Sequence, residues 1–104
     1  MQVKLIVPRT FNDKTPILPT TIHLIETKIL ETAGGFTRTC GHGVWRNAKG
    51  VRIDDEVLIY SIYLPDSLSF YRFTMGEIAK FIGTVCKQES VYLEIDGKVF
   101  YVKP

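Results

Sequence analysis

His42 sits between Gly41 and Gly43, two residues after Cys40, and the acidic run Asp54, Asp55 and Glu56 follows in the same connector. A titratable imidazole, a thiol and three carboxylates therefore share one short segment. Imidazole changes charge near neutral pH and is the commonest general base, and flanking glycines let a ligand come close to the backbone. A base also needs an orienting group, which Asp54 or Glu56 supplies if the chain folds back on itself. Consecutive strand residues point to opposite faces, so Asp54 and Glu56 can act together and Asp55 cannot join them. With no His or Cys at ligand spacing, this run reads as a solvated strand edge, and neither metal nor cofactor is expected. An activated Cys40 thiolate needs a positive setting, for which only Arg38 and Arg46 are near in sequence; the alternating FTRTC instead reads Cys40 as a small core residue. Arg38, Arg46, Lys49 and Arg52 make the segment basic, and with glycine amides they suit a phosphate or carboxylate, although GxxxxGK[ST] and GxGxxG are both absent. Trp45 reads as a core anchor or as part of a binding surface. His23 falls on the exposed side of a helix and is a weaker candidate.

The elements that must position these groups follow from the pattern. Over 104 residues, 45% hydrophobic and 23% charged, the chain has the composition of one soluble domain, 1–104. Its 13 Lys and Arg against 11 Asp and Glu leave +2, scattered, which disfavours a nucleic-acid partner. No apolar run approaches membrane-spanning length, and Cys40 and Cys86 read as reduced thiols, so a cytoplasmic protein is expected. VKLIV predicts a first strand ended by Pro8, and the proline-rich segment to Pro19 predicts a loop. Ile22, Ile25, Ile29, Leu30 and Ala33 recur at helical spacing, opened near Pro19 and closed by Gly34-Gly35. FTRTC predicts a strand that Gly41 and Gly43 interrupt as a bulge or bend, after which VWR and VRI form a hairpin across Asn47–Gly50. VLIYSIYL then predicts a separate, central strand. Thr74-Met75-Gly76-Glu77 predicts a capping box that opens a second helix, and Asp96-Gly97 predicts a hairpin between SVYLEI and KVFYV.

This order, β-α-β-β-α-β with one more C-terminal strand, predicts a ferredoxin-like α+β fold with both helices on one face of a mainly antiparallel sheet. Tyr60, Tyr63, Tyr92, Phe100 and Tyr101 cannot all face two helices, so a homo-oligomer, dimer or trimer, is expected to cover the rest.

On GGFT, GHGVW and the acidic residues before a strand, the segment from about Asn12 to Leu64 resembles small uncharacterised bacterial proteins with a GGFT, GxW and acidic pattern, and that resemblance implies no activity. The layout is also similar to PII-type and other ferredoxin-like regulators, which implies an oligomeric regulator; the connector from His42 to Asp54 is short for them, and no nucleotide-binding set is present. The leading expectation is thus a non-enzymatic regulatory or interaction domain working through the 41–56 hairpin on a protein or small anionic ligand. The alternative is a small enzyme or ligand-binding protein using His42 with Asp54 or Glu56. In either case Arg38, His42, Trp45, Arg46, Asp54 and Glu56 are the candidate ligand-binding residues, and His42 is the catalytic candidate.

Overall fold

Val3, Leu5 and Val7 alternate with Lys4 and Ile6, and this period of two sends one set of side chains to each face of a strand. The computed structural model describes residues 1–65 and 69–104 and runs β1 (Gln2–Pro8), α1 (Pro19–Ala33), β2 (Thr37–Arg46), β3 (Arg52–Tyr63), α2 (Ser69–Val85), β4 (Val91–Ile95), β5 (Lys98–Val102). The strands form one antiparallel sheet in the order β2-β3-β1-β4-β5. The architecture is α+β. Val3, Leu5 and Val7 share a face with Leu58, Tyr60 and Ile62 of β3 and Leu93 and Ile95 of β4. Against that face Ile25 and Ile29 of α1 and Met75, Ile78, Ala79 and Ile82 of α2 complete the core. Among the described residues no helix is long and apolar enough to cross a membrane.

α1 has the expected bounds. Pro19 stands in its first turn, where a missing N–H removes nothing, and Gly34 at φ 77° returns its amide to Leu30 O at 2.8 Å. Asp96 (φ 49°) and Gly97 (φ 84°) form the expected tight hairpin turn.

Four expectations are corrected. Gly41 and Gly43 make no bulge: β2 stays in register with β3 from Thr37 to Arg46. Gly41 is small because a Cβ there would lie 2.9 Å from Ile59 Cδ1, so lateral space is what this glycine supplies. VRI and VLIYSIYL are one twelve-residue strand, β3, and the middle place in the sheet belongs to β1. α2 begins at Ser69, so Thr74 lies inside it and its hydroxyl donates to Phe70 O at 2.9 Å instead of capping.

The face away from the helices carries Ile6, Ile59, Tyr63, Tyr92, Val99 and Tyr101, with Lys4 opposite Glu94 near its centre. Tyr63 and Tyr101 are 65% and 70% exposed, so the aromatic side chains do divide between the two faces.

Candidate functional site

The β2–β3 hairpin turns at Asn47, whose Oδ1 accepts from the amides of Lys49 (2.9 Å) and Val51 (3.0 Å), with Gly50 at φ 77°. This turn fixes a register in which His42 faces Glu56 and Val44 faces Asp54. His42, Asp54 and Glu56 consequently meet on one face. The ring Nδ1 lies 2.6 Å from Glu56 Oε1, and Nε2 lies 2.9 Å from Asp54 Oδ1. Ionised carboxylates only accept, so both ring nitrogens donate and the imidazolium satisfies the geometry. Its pKa is raised accordingly, first by Asp54 and then by Glu56. Arg52 also grips Asp54, Nε to Oδ2 at 2.9 Å, and Arg52 and His42 together hold the Asp54 carboxyl well below the usual range. The charges balance: two carboxylates, one imidazolium, one guanidinium. As arranged, His42 is a clasp with neither nitrogen free to accept a proton.

About 7 Å back along β2 on the same face, the spacing of two strand residues, Cys40 opens onto a groove between α1 and the β2–β3 sheet edge. The groove measures about 490 Å³ and is walled by Arg9, Ile17, His23, Glu26, Arg38 and Cys40 among others. Behind its lining the fully buried Tyr60 donates to Glu26 Oε2 at 2.7 Å, and Arg38 Nη1 donates to the same oxygen at 2.5 Å. The Glu26 side chain is 17% exposed, so a carboxylate is held at the edge of solvent by two donors. Burial and the neighbouring Glu26 carboxylate raise the Tyr60 phenol, which keeps its proton at neutral pH. A second hollow of about 360 Å³ at the end of α1, lined by Gly34, Gly35, Thr37, Ser61 and Tyr63, holds no charged side chain. The chemistry lies in the first.

Of the candidates read from the sequence, Arg38 enters the groove, and His42, Asp54 and Glu56 form the clasp beyond it. Trp45 is not a core anchor: it is 44% exposed, with Cζ3 only 3.5 Å from where a Cβ on Gly43 would sit, on the opposite face. Arg46 pairs in register with Arg52 near the exposed hairpin tip. Cys40 is exposed, not core, because it lies on the edge strand β2. Cys86 is buried, and burial pushes its thiol up to about 11. Glu26 and Tyr60 were missed. The available signal was Glu26 falling four residues after Ile22 and one after Ile25, on the flank of the apolar stripe, where a charge needs a partner.

No family model and no curated protein matches the chain. Two solved structures resemble it: a phage SAM lyase in complex with S-methyl-5′-thioadenosine, with TM-score 0.73 and 16% identity, and a phage SAM lyase in the apo state, with TM-score 0.75 and 17% identity. Each likeness covers 99% of this chain and 88% of that chain. At such identity the fold is what is shared. The expectation of a non-enzymatic regulatory domain is corrected by this finding, because the scaffold that the chain shares over 99% of its length is one on which the solved neighbours are enzymes.

Proposed function

We propose that the protein is a small enzyme, built on a ferredoxin-like α+β scaffold, that cleaves S-adenosylmethionine and releases S-methyl-5′-thioadenosine from the groove between α1 and β2–β3. The observation that carries this reading is the Glu26 carboxylate at the groove base, fixed by Tyr60 and Arg38. The likeness to the SAM lyase structures supports S-adenosylmethionine as the substrate class. S-adenosylmethionine is a sulfonium that also carries an ammonium and a carboxylate. A groove with Glu26 on one side and Arg9 and Arg38 on others offers a carboxylate for the positive groups and guanidinium groups for the carboxylate. Its volume also suits a nucleoside-sized ligand.

Release of methylthioadenosine breaks the bond from the sulfonium sulfur to the four-carbon amino-acid chain. The electron pair stays on sulfur, which leaves as a neutral thioether and needs no acid. A lyase adds no water, so the carbon left behind takes its electrons from its own chain, by attack of the substrate carboxylate, which closes a lactone, or by loss of a neighbouring proton to the Glu26 carboxylate, which leaves an alkene. In either course positive charge on sulfur disappears, and the protein's task is to hold the reacting chain in one conformation away from bulk water. Glu26 and Arg38 retain lone pairs and N–H groups beyond those they spend on each other, enough to grip the two ends of the amino-acid part.

A second copy of the chain is proposed to cover the open sheet face. Its apolar and aromatic side chains surround a Lys4–Glu94 pair of zero net charge, so the same face of another copy meets it without repulsion.

The substrate reading is tested by thermal shift with S-adenosylmethionine, methylthioadenosine and adenosine. Ligand at 100 times its Kd stabilises the native state by about 2.7 kcal/mol. A melting temperature that stays put with millimolar S-adenosylmethionine and methylthioadenosine contradicts the reading.

A further inference from the structure

We infer, resting on that reading of the groove, that Lys14 is a positioning residue whose ammonium holds the connection between β1 and α1 in place as one wall of the substrate site. β1 stops pairing with β3 at Pro8 opposite Val57, whereas β3 begins at Arg52, so residues 52–56 extend past the end of β1. Arg9 N donates to Glu56 O at 3.0 Å and continues the ladder by one bond. The next carbonyl on that edge, Asp54 O, receives Lys14 Nζ at 2.8 Å. The ammonium stands where a strand amide would.

The same nitrogen lies 3.0 Å from Oδ1 of Asp55, which at 8% exposure is the one buried charged side chain among the described residues. Lys14 reaches both groups from φ 72°, a left-handed conformation that a lysine keeps only when its surroundings hold it there. Those surroundings are local: Lys14 N donates to Phe11 O, Phe11 N to Thr15 O and Ile17 N to Arg9 O, at 2.8 to 3.0 Å, while Asp13 Oδ1 accepts from Thr15 N and Oγ1. Arg9, Pro16 and Ile17 of this stitched segment line the groove. Lys14 thus ties the wall to the stretch of β3 whose Asp54 and Glu56 side chains form the clasp.

Loss of the tie lets the wall leave its binding position part of the time, and apparent affinity falls by the fraction of time spent away. Chemistry in the closed groove is unaffected. Lys14→Met is therefore expected to raise KM for S-adenosylmethionine about fivefold with kcat within about twofold, and Lys14→Arg to restore it. Because Lys14→Met leaves the Asp55 carboxylate buried without its partner, Lys14→Met/Asp55→Asn removes both charges and is expected to show the same KM. Amide exchange at Arg9, Phe11 and Ile17 should quicken about tenfold in both variants while Leu5 in β1 is unchanged. Unaltered KM together with unaltered exchange at these three amides in the folded variants overturns the proposal. If the wild-type protein neither binds nor cleaves S-adenosylmethionine, the substrate reading falls, and the exchange rates still decide whether Lys14 holds the wall.

Discussion

Replacing Tyr60 by Phe removes a single O–H from behind the groove's Glu26 and little else. The ring is fully buried and meets Phe36 edge to face at a centroid distance of 5.2 Å, a contact that Phe reproduces. What disappears is the 2.7 Å bond to Glu26. Hydrogen bonds to charged acceptors contribute about 1.5–3 kcal/mol, and because Arg38 still satisfies Glu26, the lower figure of about 1.5 kcal/mol applies. For a domain of this size about 4–8 °C of melting temperature accompanies each kcal/mol, which gives a fall of about 6–12 °C. Circular dichroism melts of both proteins at pH 7 measure it, with Tyr63→Phe as the exposed control, expected within about 0.5 kcal/mol of wild type. A pH series adds a second readout. Folding raises the Tyr60 pKa above 10.0, so the phenol's stabilisation is complete below that value and lost as pH climbs through the folded one; Tyr60→Phe should flatten this alkaline decline. A melting temperature within about 2 °C of wild type would show that the Tyr60–Glu26 bond adds no stability, against the loss expected when a buried hydroxyl on a carboxylate is removed.

His42, raised above 6.5 by Asp54 and Glu56, adds stability that is full below 6.5 and disappears as pH rises through its folded pKa. A ring-proton NMR titration should place its midpoint above 6.5, and Asp54→Asn should lower it; a wild-type midpoint at or below 6.5 contradicts the clasp. Gly34→Ala puts a side chain at φ 77° with nothing within 4 Å of the new Cβ, so the loss is purely backbone strain, about 1 kcal/mol, read as a lower urea midpoint at constant m. Light scattering at micromolar concentration should return a multiple of 11.8 kDa, whereas a single-chain mass would remove the second-copy proposal.

Local rules made much of the fold legible. Pro19 and Gly34 bound α1, and Asp96-Gly97 marks its hairpin, because each acts through φ preferences that need no distant partner. Gly41 was misread for the opposite reason. A glycine in a strand is compatible with a bulge or with lateral crowding, and only the cross-strand position of Ile59 decides between them. Thr74 carried a good capping pattern, yet Ser69–Phe73 extend the helix on its N-terminal side, so the box had no terminus to cap. The two halves of the site differ in the same way. His42, Asp54 and Glu56 were legible together because a short hairpin fixes their register. Glu26, Arg38 and Tyr60 meet only after a helix packs on a sheet, and nothing in the spacing of 26, 38 and 60 announces it.

Cleavage of S-adenosylmethionine in the groove, as proposed, is directly measurable. Purified protein is incubated with S-adenosylmethionine at pH 7, and methylthioadenosine is followed by liquid chromatography and mass spectrometry beside Glu26→Gln and a protein-free control. Wild type is expected to release methylthioadenosine well above spontaneous breakdown, with kcat/KM lowered at least about tenfold, equivalent to about 1.4 kcal/mol, in Glu26→Gln. Release no faster than the control, or equal release by a folded Glu26→Gln, would contradict the proposal.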